Sequence, residues 1–364
     1  MIWLALALLS PLAAALALFA LRRAPAALTL AGAGAGLIGA RHVAAIQDHP
    51  DCHLAGIVDL VSIDGIAAPV FKDMDDVNVP VDGVIIATPT GLHAAHGRQA
   101  ALRGWHMLIE KPVTATPDEA FDLAMIARQQ NVRCLVGHHR RYHPSIDVLR
   151  GAIQEGKIGT PVTSTLIWAM RKHDSYFDAD WRQADGSPVM INLVHDIDLL
   201  RFIFGEVTDI AALGSNAQRH RNKVESGGVI LQFQSGLCAT ISFADTAPSP
   251  WGFEAGTAEN PNIAATGQDM WWITGTQGGI AFPSLTLWGG AADWSQAATP
   301  TVLVAQTTTP LMAQLSHFCG VIAGTAKPTI DIDDAARTLK VTRDIETLLA
   351  QHLMPPNQTK EKRA

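Results

Sequence analysis

No run of lysines or arginines occurs in these 364 residues, and the formal net charge is −7 with a pI near 6.0. Nucleic-acid binding rests on a basic face that neutralises phosphates, so nucleic acid is not expected as a main partner. Cysteine is scarce: Cys52, Cys134, Cys238 and Cys319 lie far apart, with no C-x-x-C pair. That spacing argues against a disulfide framework or a zinc site and for reduced thiols in a cytoplasmic protein. No histidine has metal-ligand spacing such as H-E-x-x-H, so no metal is expected. Internal repeats and low-complexity linkers are missing as well. What is present is a 48% hydrophobic content, enough for a sizeable core, and a length that fits two domains.

The head of the chain stands apart. From Ile2 to Leu21 there is no charge, and Arg22-Arg23 follows. The length just suffices to span a bilayer, but a signal peptide carries its positive charge before the apolar stretch. Inserted, it would leave everything after Arg22-Arg23 in the cytoplasm. An anchor, a start site placed too early or a disturbed reading frame, and a buried helix all remain open for residues 1–26. Membrane association is expected, if at all, only through residues 2–21.

From Leu28 to about Val136 short apolar runs alternate with helical stretches. Strands are predicted at Leu28–Ala33, Leu54–Val58, Gly83–Ala87, Met107–Ile109 and Arg133–Val136. Helices are predicted at Ile38–Gln47, Leu92–Leu102 and Pro117–Gln130, the last opened by Thr116 as N-cap with Pro117 and Asp118-Glu119 behind it. Such alternation implies an α/β fold with a doubly wound parallel sheet, a Rossmann domain over residues 27–150. After about residue 158 strands follow one another: Val162–Met170, Val207–Ser215, Gly227–Gln234, Leu237–Asp245, Trp271–Gly275 and Thr301–Ala305. A helix at Asn192–Phe204 interrupts them. This predicts an α+β domain with a large, mainly antiparallel sheet over residues 151–354, closed by helices at Leu311–Ala323 and Ile332–Gln351. The tail, 355–364, is expected to be disordered.

Gly34-Ala35-Gly36-Leu37-Ile38-Gly39 is a G-x-G-x-x-G between a predicted strand and helix. Gly34 permits the tight turn, Gly36 the approach of a pyrophosphate, and Gly39 close packing of helix on strand. The helix N-terminus, from Leu37 and Ile38 on, offers unpaired N–H groups. Asp59 ends the second strand, where a carboxylate accepts hydrogen bonds from ribose hydroxyls. No Arg or Lys follows it before Lys72 to hold a 2′-phosphate, so NAD is favoured over NADP.

Two further segments follow parallel strands at the carboxyl ends where ligands bind: Thr88-Pro89-Thr90-Gly91-Leu92-His93 and Ile109-Glu110-Lys111-Pro112. Thr88, Pro89, Thr90, His93 and Glu110 are candidate cofactor contacts. Oxidising an alcohol requires a base for the hydroxyl proton, and a lysine serves where its surroundings favour the neutral amine. Lys111 is such a candidate, although an isolated lysine at a strand end is otherwise a plain surface residue.

The order G-x-G-x-x-G, strand-end Asp, Thr-Pro-Thr-x-x-His and Glu-Lys-Pro resembles the glucose–fructose oxidoreductase/inositol dehydrogenase/MocA family. The resemblance continues through Gly137-His138-His139-Arg140-Arg141-Tyr142-His143-Pro144 and Asn192-Leu193-Val194-His195-Asp196-Ile197-Asp198, covering about residues 30 to 350. It implies hydride transfer between NAD and a CH–OH/C=O centre of a sugar, inositol, sugar acid or cyclic diol, in a homo-oligomer, dimer or tetramer. It also implies that Lys111 and His195 flank the substrate as the catalytic pair.

One departure matters. Many members carry an Asp four residues before that histidine, where this chain has Ile191. An isoleucine neither orients a lysine nor relays a proton, and Asn192 hydrogen-bonds but is no base. Asp196 or Asp198 is a possible orienter; a solvated helix position for Asp196, a helix-packing or salt-bridge role for Asp198 and a purely structural role for His195 stay open. Between Trp168 and Gly186 a polar–aromatic stretch includes Tyr176, Trp181 and Arg182, which suit a sugar ring and its hydroxyls. With Asn192 and Asp196 these are the candidate substrate contacts. Trp251, Trp271 and Trp272 are expected in sheet or interface packing. Against the dehydrogenase stand a lyase or glycosidase using NAD for a transient oxidation, and a non-catalytic NAD-responsive regulatory protein.

Overall fold

The computed structural model describes residues 28–33, 37–60, 68–177 and 187–353. The apolar head, Gly34 and Gly36, Trp181 and Arg182, and the tail lie outside the described residues. Among the described residues no helix is long and apolar enough to cross a membrane. The chain divides into two compact units, Met1–Tyr142 with Thr308–Lys340, and His143–Thr307 with Val341–Ala364.

The first unit is built on β1 (Leu28–Ala33), α1 (Leu37–Asp48), β2 (Cys52–Val58), β3 (Val70–Phe71), β4 (Gly83–Ile86), α2 (His93–Leu102), β5 (His106–Ile109), α3 (Pro117–Gln129) and β6 (Cys134–Val136). Its six strands run in the order β3-β2-β1-β4-β5-β6, all parallel. Crossing from β1 to β4 reverses the direction in which strands are added, and ligands bind beyond the carboxyl ends at such a switch. Val84, Ile85, Ile86, Met107, Leu108, Ile109, Leu135 and Val136 are all buried, as expected where helices cover both sheet faces. The start of α3 forms the reciprocal cap its sequence announces: Thr116 Oγ1 accepts from Glu119 N–H, and Glu119 Oε2 accepts from Thr116 N–H at 3.0 Å.

The second unit holds α4 (Pro144–Gln154), β7 (Pro161–Met170), α5 (Val194–Phe204), β8 (Val207–Ser215), β9 (Ser226–Phe233), β10 (Cys238–Ala244), β11 (Pro248–Trp251), α6 (Phe253–Thr257), β12 (Trp271–Gly275), β13 (Gly278–Phe282), β14 (Thr286–Gly289) and β15 (Thr299–Val302). Among the described residues nine strands make one sheet, β15-β14-β13-β12-β7-β10-β9-β8 with β11 beside β7, and every pairing there is antiparallel except β7 with β10. Alternation sets one face: Leu166 and Trp168, Val229, Leu231 and Phe233, and Ala239, Ile241 and Phe243 turn to a core shared with Ile197 and Leu200 of α5. Trp271 is fully buried there, its indole N–H donating to Ser164 Oγ at 2.7 Å, while Trp251 and Trp272 stay partly exposed.

Two organisational expectations need correcting. The division falls at Tyr142/His143 rather than near residue 150, before α4, whose N-terminus His143 caps through Nδ1. The helix α7 (Pro310–Ala323), expected in the second domain, belongs to the first unit. Gly83 explains how: a Cβ there would lie 2.8 Å from Ile322 Cδ1 and 3.3 Å from Phe318 Cζ, so its absence lets α7 close on β4. Arg133 Nη1 then donates to the carbonyls of Val321 and Ile322 at 2.8 and 3.0 Å, satisfying the helix end. The last helix, α8 (Ile332–Ala350), contributes residues to both units.

Candidate functional site

In the first unit the predicted residues gather at the carboxyl ends of parallel strands. Gly39 is buried in the first turn of α1, which carries no acidic side chain, so the helix N-terminus suits an anion. Asp59 follows β2 and is buried; its N–H donates to Phe71 O at 2.9 Å. The pairing of β3 with β2 brings Lys72 to the same place, its Nζ donating to the carbonyls of Leu60 and Asp59 at 2.8 and 3.2 Å. Sequence distance had placed Lys72 too far off to count. A helix N-terminus and a strand-end carboxylate are what an adenosine diphosphate moiety requires, and among the described residues α1 and Asp59 fit it.

The loops after β4 and β5 are locked together. His93 Nε2 lies 2.7 Å from Thr88 O and its Nδ1 2.9 Å from Pro112 O, so the ring sits between the two loops, and in its neutral form it donates to one of these carbonyls. Burial drives its pKa below the usual histidine range, only partly opposed by those carbonyls. Thr88 Oγ1 lies 3.1 Å from His96 Nδ1. Pro89 and Thr90 lead into a short 3₁₀ turn ahead of α2. Glu110 is buried, with Oε1 2.8 Å from His42 Nε2 of α1 and Oε2 accepting the Lys111 N–H at 3.1 Å. Burial pushes its carboxyl up, but the His42 hydrogen bond and the charges of His42, His139 and Lys111 outweigh it and bring the pKa to about 2. Gly137 is the seat: a Cβ there would meet Glu110 Cα, Cδ and Oε2, each at 2.9 Å. The carboxylate of Glu110 therefore faces α1 and its own loop, which holds the Lys111 backbone in place.

In the second unit the array lies at the start of α5. A π-turn over Val189–Leu193 precedes it, a local widening common at functional positions. Asn192 and His195 are three residues apart across this junction, hence on one face. His195, Asp196 and Asp198 are all buried, which removes the solvated reading of Asp196. Asn192 Nδ2 donates to Glu254 Oε1 at 3.3 Å, and Trp168 Nε1 donates to Glu254 Oε2 at 3.2 Å. Glu254, on α6, was not anticipated. The available signal was a single carboxylate within Trp251-Gly252-Phe253-Glu254-Ala255, an otherwise apolar and small-residue run. Tyr176 packs on Phe177 and His173, with Lys172 Nζ 5.0 Å from its ring centroid. The cation of that stretch thus meets a ring of its own unit.

Two family models match in succession. Residues 29–138 match the oxidoreductase family, NAD-binding Rossmann fold, and residues 146–281 match the GFO/IDH/MocA C-terminal domain. The chain belongs to the GFO/IDH/MocA family. Its nucleotide-binding unit is an NAD-binding Rossmann domain. Similar proteins include 1,5-anhydro-D-fructose reductase of Ensifer adhaerens, 31% identical over 195 residues (50% of this chain, 56% of the relative). Inositol 2-dehydrogenase of Rhizobium meliloti (strain 1021) is 29% identical over 221 residues (57% and 66%). The matches thus span between 56% and 66% of these relatives' lengths. Among solved structures, UDP-N-acetylglucosamine 3-dehydrogenase GnnA from Acidithiobacillus ferrooxidans superposes with a TM-score of 0.71 at 22% identity, covering 88% of this chain and 96% of that one. At that identity the likeness establishes the fold.

Proposed function

We propose that this member is an NAD-dependent oxidoreductase that moves a hydride between nicotinamide and a CH–OH/C=O centre of a sugar, polyol, sugar acid or cyclic diol. The observation that carries this reading is Lys111 at the carboxyl end of β5, in a loop clamped by Glu110 and His93. When bound, NAD supplies the hydride acceptor. The N-terminus of α1 and Asp59 hold its phosphates and ribose, with Thr88, Pro89 and Thr90 beside them; Glu110 and His93 keep that wall in place. Lys111 takes or returns the hydroxyl proton, and His195 holds the hydroxyl. Asn192, Asp196 and Tyr176 contact the rest of the substrate, and Trp181 and Arg182 belong to the same proposal. Exposed Ile230, Trp288 and Val302 on the large sheet, with partly exposed Trp272, suit a homo-oligomer contact. Screening polyols, sugars and sugar acids by NADH absorbance tests the reading. No NADH from any of them, with NAD nonetheless bound, overturns it; product formed without net NADH indicates the transient-oxidation chemistry of a lyase or glycosidase.

NAD should bind at least about tenfold more tightly than NADP, or ~1.4 kcal/mol, because Asp59 repels a 2′-phosphate. Lys72 does not cancel this while its ammonium is engaged by two carbonyls. Asp59→Ser should narrow the gap, with Lys72 then beside the substituted position. Equal affinities of the unaltered protein by calorimetry would sink the idea.

Glu254 is a positioning residue in this reading, supplying through Asn192 the carboxylate missing at Ile191. A hydrogen bond to a charged group contributes about 1.5–3 kcal/mol. Glu254→Gln should therefore raise the substrate KM about tenfold or more, with NAD affinity unchanged. A lowered Tm with KM and the pH profile unmoved would assign Glu254 to packing alone.

A further inference from the structure

Cys52 opens β2 and Cys319 lies in α7, 267 residues apart in the chain, yet their Sγ atoms are 3.4 Å apart. Both belong to the first unit. Cys52 sits at the opposite end of β2 from Asp59, away from the proposed cofactor seat. His49 is the third neighbour, and the ligating atoms of the three lie within 4.8 Å of one another, a spacing compatible with a soft cation.

The hydrogen bonds decide against a metal. Ser316 Oγ donates to Met312 O at 3.1 Å, so at 2.9 Å it accepts from His49 Nε2–H. His49 Nδ1 accepts the Asp51 N–H at 3.1 Å. With Nδ1 accepting and Nε2 donating the imidazole has no lone pair to spare, and burial lowers its pKa despite Asp51. Two thiolates without it fall short of the four ligands of a structural zinc site. What remains is a pair of thiols facing each other: Cys319 nearly buried, Cys52 half-buried and more open to solvent.

We propose that Cys52 and Cys319 form a dithiol that peroxide oxidises to an intramolecular disulfide, tying α7 to the start of β2. One thiol donates to the other, and that bond holds the Cys319 thiol below its ordinary range despite burial. The same bond, with burial, pushes Cys52 up. In the proposed order Cys319 reacts first, as the thiolate, and hydrogen peroxide is small enough to reach it. Its sulfur attacks peroxide: an S–O bond forms, the O–O bond breaks and hydroxide leaves. That hydroxide takes the Cys52 proton, and the new thiolate attacks the sulfenic sulfur. The S–S bond forms, the S–O bond breaks, and the second hydroxide recombines with the proton Cys319 first released. Two thiols and one peroxide give one disulfide and two waters; the thiols lose two electrons and peroxide gains them. The sulfurs need only close from 3.4 Å to ~2.05 Å.

The test treats the reduced full chain with hydrogen peroxide, blocks remaining thiols, digests without reductant and maps peptides by mass spectrometry. A Cys52–Cys319 cross-link is expected, lost on adding dithiothreitol, with Cys134 and Cys238 alkylated as internal controls. The oxidised protein should melt several degrees above the reduced one, because the bond closes a long loop. Cys52→Ser should leave Cys319 as a sulfenic acid that dimedone traps, and in Cys319→Ser peroxide should not change Tm. Both thiols still alkylated after peroxide, Cys319 over-oxidised without a cross-link, or a stoichiometric zinc that shields both thiols in the purified protein would each overturn the proposal.

Discussion

Replacing Lys111 with alanine should lower kcat by about 10² to 10⁴, the usual contribution of a general base, while NAD affinity stays nearly intact. The two effects separate because different parts of the first unit produce them. The proposed phosphate and ribose contacts lie at α1 and Asp59, whereas Lys111 sits beyond β5. The loop itself should survive the change. Two of its anchors, the Lys111 backbone N–H on Glu110 Oε2 and the Pro112 carbonyl on His93, do not involve the lysine side chain. His195→Ala should cost less in kcat and more in KM if, as proposed, the imidazole holds the hydroxyl rather than carrying its proton. Steady-state kinetics of both variants, with NAD binding as the folding control, decide the roles. Near-normal turnover in Lys111→Ala with none in His195→Ala would reverse them.

Local signals carried much of the fold. β1 over Leu28–Ala33 and β12 over Trp271–Gly275 fall where their apolar runs place them, and Thr116 caps α3 because the cap is written within four residues. Non-local pairing hid the rest. The two-residue β3 has too little pattern to be seen, yet its register puts Lys72 at Asp59. β13 begins Gly278-Gly279 and β14 ends at Gly289, and glycines weaken a strand signal. Apolar periodicity does not distinguish the π-turn at Val189–Leu193 from the α-helix that follows it. Nothing near Glu254 in the chain announces Trp168 and Asn192 as its partners. The order of motifs points to Lys111 and His195 as candidates, but the packing partners that position the loops come from distant segments.

Glu110 should contribute on the order of 3 kcal/mol to the stability of the first unit at neutral pH, and that contribution should vanish in acid. Its folded pKa, about 2, lies below its ordinary value of 4.5, and each unit of difference corresponds to about 1.36 kcal/mol. A depressed carboxyl stabilises the fold above its unfolded pKa, so the whole contribution is present above about pH 4.5 and is lost as pH falls towards 2. Glu110→Ala removes the carboxylate and leaves His42 buried without its acceptor, a loss of about 3–5 kcal/mol for a broken buried pair. Glu110→Gln separates charge from shape: its amide oxygen still accepts from His42, but nothing titrates. The measurement is urea unfolding of the native and Gln proteins at several pH values. Other acids titrate in both, so they cancel in the difference. That difference should hold steady from pH 7 to about 5 and shrink below 4.5. A difference that stays constant down to pH 3 would mean the buried carboxylate is not held by its charge. Because Glu110 also fixes the Lys111 amide, the Gln variant should lose turnover at neutral pH as well, where its fold is intact.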